Sequence, residues 1–308
     1  MLKELVMPAP WLWIVVTVWA AFAQTIRNAA QRHLTEELGT LGATLVRFLY
    51  GVPFAALWLG AVSRATGAPI PDFNATFLFW VALGAVCQIA ATALLLRTMR
   101  ARNFALGVAY SKTEVLQVAA FGVVFLGDPL GLPAALAVAS GTLGVLLLSP
   151  ADKQRPLATL LTGWTSPTAL LGLACGALFA LSAVGYRGAT LALPGAPFLM
   201  SAAFTLLVAQ VFQTVLLGGG LALRDIEVVK RVLRAWRISL FAGFMGAAAS
   251  AGWFTGFAIA PAAHVRTLGL IELVFSYAVS RRLFREHLSR LELAGMALLA
   301  FAVVVITI

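Results

Sequence analysis

The sequence predicts an all-α integral membrane protein, with ten transmembrane helices arranged as two inverted five-helix repeats. Three observations carry that expectation. The 308 residues are 61% hydrophobic and 11% charged, with a mean hydropathy of +0.94, whereas an ordinary soluble domain carries about 25% charged residues. The apolar residues gather into ten runs, each near the roughly 20 residues a helix needs to cross about 30 Å of hydrocarbon. The second half of the chain also repeats a two-acid feature of the first.

In chain order the runs cover 11–30, 41–62, 75–97, 104–127, 131–149, 167–187, 197–218, 238–260, 263–281 and 290–308. Burying ten such helices inside one small soluble domain would leave too little polar surface. The first run, "WLWIVVTVWAAFA" after Lys3, has the outline of a signal peptide, with Ala21-Phe22-Ala23 before a cut. However, "TIRNA" (25–29) resembles "GYRGA" (185–189) and aligns Arg27 with Arg187, so this segment is expected to belong to the fold.

Lysine and arginine accumulate in cytoplasmic loops. The odd-numbered connections carry sixteen of them and the other side carries three, namely Lys3, Arg64 and Arg187. This bias places the odd connections inside and both termini outside. The net charge of +10 therefore speaks of membrane orientation and anionic lipid, with no nucleic acid implied. In the seventh connection, Ile226, Val229, Leu233 and Trp236 recur at helical spacing among Lys230, Arg231, Arg234 and Arg237. That stretch reads either as a short amphipathic helix on an anionic leaflet or as a solvated charged loop.

The repeat emerges when "SKTEVLQVAAFGVVFLGDPL" (111–130) is set over "GLIELVFSYAVSRRLFREHL" (269–288). Glu114 meets Glu272, Asp128 meets Glu286 and Leu130 meets Leu288, without a gap. A unit with an odd number of helices, repeated in tandem, enters the membrane upside down the second time. Transporters with such inverted repeats bind substrate near the midplane between them. The domains expected are a first five-helix repeat over 1–150, a linker over 151–166 and a second repeat over 167–308.

The doubled pattern of an acid, an apolar run and then "LGD-P" or "FRE-L" resembles the EamA family of the drug/metabolite transporter superfamily. Glu114 and Glu272 fall on the first Glu of that family's repeat pattern, and Asp128 and Glu286 on the second. The "VRFLYG" of 46–51 resembles the Arg-Phe opening the family's second helix. The resemblance covers essentially the whole chain. It implies a ten-helix secondary transporter of small organic metabolites, an exporter, with both termini in the cytoplasm, opposite to what the charge count gives. Where the family has Pro after the first Glu, this chain has Val115 and Leu273, so no kink is predicted there from a proline.

An ionisable group at the bilayer centre costs about 2.5–3.5 kcal/mol on translocon scales and marks a functional site by default. Glu114 and Glu272 are the leading candidates. Either they couple protons to substrate movement, with burial and nearby arginines setting their pKa values, or they are structural. Tyr110 and Gln117 share the helical face of Glu114. Lys112, two residues away, is expected to point about 200° around an unbroken helix. Arg47 is a candidate counter-ion and Arg266 a candidate cavity residue. Gln24, Asn28 and Gln88 offer neutral hydrogen bonds. Trp80 and Trp253 are candidates for an aromatic wall, suited to an organic cation among others, or for lipid-facing packing. Gly252 and Gly256 form a small-xxx-small pair for close helix approach.

The resulting expectation is a non-enzymatic, alternating-access carrier in the cell (inner) membrane. Its partners would be a small-molecule substrate, the lipid bilayer and protons, in a monomer or homodimer. The mixed acids and bases favour a zwitterion such as an amino acid. Uptake of an organic cation or another metabolite is the alternative direction, and a passive channel or membrane scaffold the remaining class. No Walker-type phosphate loop occurs, nor paired acids for Mg²⁺ and diphosphate, so neither ATP hydrolysis nor prenyl or lipid transfer is expected. Cys87 and Cys175 read as buried free thiols, and His33, His264 and His287 lack metal spacing; no cofactor or metal is expected.

Overall fold

The computed structural model describes residues 9–101, 111–112, 114–147, 167–284 and short stretches at 294–295, 297–298, 301–302 and 304–305. The described residues are all-helical, without strands. Tyr110, Glu286, the 151–166 linker, most of 290–308 and the first part of the fourth run lie outside them.

Helix α1 is assigned over Leu12–Leu49, but Gly39 interrupts it at φ 70° and ψ 176°. Only glycine adopts that region freely. Gln31 donates to the Ala43 carbonyl at 2.7 Å, although a straight helix would hold these residues about 18 Å apart. The chain therefore folds back at Gly39, and the two legs correspond to the first apolar run and the start of the second. After Tyr50 and Gly51 the second leg continues as α2 (Val52–Thr66), with proline in its first turn and Gly67 closing it in the left-handed conformation.

Helix α3 spans Ala75–Ala101, α4 spans Glu114–Phe121 and runs into a π turn at Gly122–Leu126, and α5 spans Leu132–Leu147. Helix α6 covers Pro167–Leu191. Helix α7, Phe198–Gln213, passes through a second π turn at Thr214–Gly218 into α8, Gly219–Arg224. Helix α9 (Ile226–Arg234) is short, with Asp225 as its cap, accepting from the Glu227 N–H. Helix α10 covers Trp236–Ile259, α11 Ala262–Leu268 and α12 Ile271–Phe284.

Several of these helices are long and apolar enough to cross a membrane. Their outer faces carry large apolar side chains such as Leu57, Phe79 and Val215, a surface suited to acyl chains. The amphipathic reading of the seventh connection corresponds to α9: Ile226, Leu233 and Trp236 are exposed beside its cations, while Val228 and Val232 pack toward Gly42 of α1.

Two helix pairs dominate the interior, α1 against α10 and α3 against α6. Both rely on missing side chains. A Cβ on Gly252 of α10 would lie 2.6 Å from the Val16 carbonyl of α1, and one on Gly185 of α6 would lie 2.8 Å from the Gly84 nitrogen of α3. Gly252 thus makes the close approach the sequence suggests, while Gly256 fits against Val265 and Thr17.

Candidate functional site: a buried ion cluster at two helix breaks

The chemistry concentrates at two turns, each just before a helix. Between α11 and α12, Gly269 and Leu270 form a tight turn. There Leu270 donates to the Thr267 carbonyl, Glu272 to Gly269 and Leu273 to Leu270, all three-residue spans. Glycine at 269 makes room for the Trp253 ring, which a Cβ there would meet at 2.5 Å. In the first half, Lys112 occupies a turn and the Val115 N–H reaches back to its carbonyl at 3.2 Å. Glu114 and Glu272 therefore stand in the first turn of the helices that follow these breaks. The sequence suggests instead that they lie midway along unbroken helices, with no proline to kink them.

Spacing on a continuous helix points Lys112 away from Glu114. In the structure Lys112 occupies a turn, and its Nζ lies 3.7 Å from the Glu114 carboxylate and 2.5 Å from Glu272. Lys112 thus ties together the two acids that the repeat aligns.

Glu272 is fully engaged. It accepts from Gln24 Nε2 at 2.7 Å and from Asn28 Nδ2 at 3.0 Å as well as from Lys112. The other ends of those amides are used too: Asn28 Oδ1 accepts from Arg27 at 2.7 Å, and Gln24 Oε1 from the Trp253 indole at 3.0 Å. Glu114 lies 3.6 Å from Arg266. The Arg266 guanidinium sits 4.6 Å above the Trp253 ring and 5.3 Å from that of Phe257. The ions are sealed from solvent: the side chains of Lys112, Glu114, Glu272 and Arg266 are at most 6% exposed. The three hydrogen bonds on Glu272 are what make its buried charge tolerable.

Of the residues singled out in the sequence, Glu114, Glu272, Gln24, Asn28, Arg266 and Trp253 converge on this cluster. Arg47 donates to Thr92 at 3.1 Å and is not a hydrogen-bonded partner of either acid. Gln88 belongs to a separate neutral knot, accepting from the Tyr186 hydroxyl at 2.9 Å and from Gln213 at 2.9 Å. Trp80 packs over Gly188 at the α3–α6 crossing, away from the ions. Gln117 is half-buried one turn beyond Glu114. Tyr110 lies outside the described residues. Sequence reasoning missed Lys112 as a bridge and Arg27 as a member; the alignment of Arg27 with Arg187 was the available signal. Among the described residues no group of three metal-ligating side chains occurs.

A second ion site closes one end of the bundle. Arg187 Nε donates to both Asp128 oxygens, at 2.8 and 2.7 Å, and its Nη1 donates to the carbonyls of Phe257 and Ala260, each at 2.7 Å. Asp128 also accepts from the Ala262 N–H at 3.3 Å. One pair thereby fastens α6 and the loop after the first π turn to the junction of α10 and α11.

No family model matches the chain, and no curated protein matches it. A solved structure described only as "Crystal structure of protein" superposes with a TM-score of 0.62 at 14% identity, covering 97% of this chain and 96% of its own. At that identity the likeness establishes a shared fold over nearly the full length of both chains, and nothing about activity.

Proposed function

We propose that the protein is a secondary transporter of a small organic metabolite, an EamA-like carrier of ten helices in two inverted repeats, working by alternating access around the Glu114–Glu272 centre. The observation that carries this reading is the ion cluster itself. Two acids aligned by the repeat stand at the starts of two broken helices, joined by Lys112 and shielded from water. Broken helices meeting near the midplane are how inverted-repeat transporters build binding sites, and an ion cluster of this cost has little reason to persist in lipid without a role.

The packing supports the repeat. Exchanging the halves turns the first segment into the sixth and the third into the eighth. The α1–α10 contact then becomes the α3–α6 contact, and these are the two main pairs, each built on glycine. The Asp128–Arg187 fastening acts as a closed gate at the charge-poor end. Glu114 and Glu272 carry the coupling protons when the cluster is exposed to one side.

Counterflow tests the reading. Proteoliposomes preloaded with an unlabelled metabolite extract concentrate a labelled metabolite transiently if the protein is a carrier. Simple equilibration, as through a channel, or no uptake above empty liposomes contradicts it.

A further inference from the structure

The cluster holds more cations than its acids can neutralise. Arg27, Lys112 and Arg266 are buried around Glu114 and Glu272, and Arg47, bonded to Thr92 outside the hydrogen-bonded cluster, is buried close enough to feel the charge of Glu272. Among the described residues every other acid is exposed or, like Asp128, engaged elsewhere. Among the described residues, four cations against two acids leave two positive charges over.

The surplus has a location. Arg27 and Arg47 are 1% and 2% exposed and are among the largest fully buried side chains. They flank Gly246 of α10, where a Cβ would lie 3.2 Å from Arg47 Cγ and 3.4 Å from Arg27 Cδ. Glycine at this position leaves room for two arginine stems at one crossing. The Arg27 guanidinium lies close enough to Arg47, Arg266 and Glu272 to feel their charges. Arg27 Nε and Nη1, Arg47 Nε and Arg266 Nε are buried and have no hydrogen-bond partner among the described residues. Native proteins rarely leave such donors unmade, least of all on charged groups.

Resting on the carrier reading above, we propose that these guanidiniums are the substrate-binding groups, and that the substrate is a small organic anion bearing a carboxylate or a phosphate. An oxyanion supplies both things the site lacks, acceptors in the fork geometry that guanidinium favours and negative charge. A doubly charged anion balances the cluster. A cation would add to an uncompensated positive charge, and a zwitterion would leave the surplus as it is. An anionic substrate departs from the preference for amino acids drawn from the mixed charges of the sequence, which counts residue types but not which acids are taken.

The test is differential scanning fluorimetry of the purified full-length protein at matched ionic strength, with succinate, glycerol 3-phosphate, inorganic phosphate, alanine and putrescine as probes. Succinate or glycerol 3-phosphate is expected to raise the melting temperature, as a ligand of the folded state must, while alanine and putrescine leave it unchanged. Which of the two succeeds separates the carboxylate from the phosphate. Arg27→Gln and Arg47→Gln should each weaken the effective anion at least tenfold, whereas exposed Lys230→Gln leaves its affinity unchanged. If the glutamine variants do not fold, Arg27→Lys and Arg47→Lys, which keep the charge but lose the fork, should still weaken binding.

Stabilisation by alanine or putrescine in place of the anions overturns the proposal, as does the absence of any anion effect on the wild type. A response to inorganic phosphate alone overturns the organic part of the claim. The carrier reading fails separately: anion stabilisation without counterflow removes the carrier and leaves the site, while counterflow of alanine or putrescine alone removes the anion site and leaves the carrier.

Discussion

Replacing Lys112 by methionine tests whether one lysine holds the two halves of the chain together. In the folded protein its ammonium lies 3.7 Å from Glu114 and 2.5 Å from Glu272. With an effective dielectric of about 20, those separations correspond to direct attractions of about 4 and 7 kcal/mol before desolvation is subtracted. Desolvation of a buried ion is itself several kcal/mol, so the intact pair contributes much less than this. Breaking it is another matter, because a buried carboxylate then loses its counter-ion; Lys112→Met is expected to destabilise the protein by about 3–5 kcal/mol. Glu272→Gln should cost a similar amount. The double variant removes opposite charges together, and its loss should fall short of the sum of the singles by about 2 kcal/mol or more. Reversible unfolding by SDS in bicelles, followed by circular dichroism, gives all three values. Additivity within about 0.5 kcal/mol would mean that Lys112 and Glu272 do not touch in the folded protein.

Other consequences follow from the same geometry. Gly252→Ala and Gly185→Ala should each cost about 1–3 kcal/mol through overpacking, because the added Cβ meets backbone at 2.6 and 2.8 Å. Gly60→Ala, with nothing within 4 Å on α2, should stabilise by about 0.5–1 kcal/mol; both effects are read by SDS unfolding. Asp128→Asn leaves Arg187 its two carbonyl acceptors but removes the charge, and should lower stability by about 2–3 kcal/mol. On α9, Lys230 hydrogen-bonds Glu227 at 2.7 Å and holds its carboxyl below the usual range. A depressed folded-state pKa stabilises above the unfolded value, and that contribution fades as pH falls through the folded value. Lys230→Met should move the Glu227 titration upward in carboxyl ¹³C NMR, and an unchanged titration would refute the pairing.

Much of the architecture was legible in the sequence for a simple reason: lipid imposes length and hydropathy on each helix, and both can be counted. The turn at Gly39 lies between the first two runs, and α3, α5, α6, α7 and α10 match the runs at 75–97, 131–149, 167–187, 197–218 and 238–260 to within a few residues. The small-residue pair on α10 was legible because close approach needs missing side chains. The turns at Lys112 and at Gly269–Leu270 were not, because no proline marks them; at the second, Trp253 fills the space beside Gly269. Once the helix is broken, the angular argument about Lys112 no longer applies. The Lys112–Glu272 contact joins residues 160 positions apart, beyond any local pattern. Arg27 looked like a weak repeat match because its importance lies in its neighbours: Arg47 from the second leg of α1 and Gly246 from α10.

The measurement that tests the central claim most directly is gradient-driven accumulation in proteoliposomes. With an imposed pH gradient, the wild-type protein should accumulate labelled succinate or glycerol 3-phosphate above the level of empty liposomes. Glu114→Gln and Glu272→Gln, checked for folding by circular dichroism, should lose that accumulation, and Lys230→Gln should keep it. Accumulation that persists undiminished in folded Glu114→Gln and Glu272→Gln would contradict the account, since the buried acids at the two helix breaks would then have no part in the transport cycle.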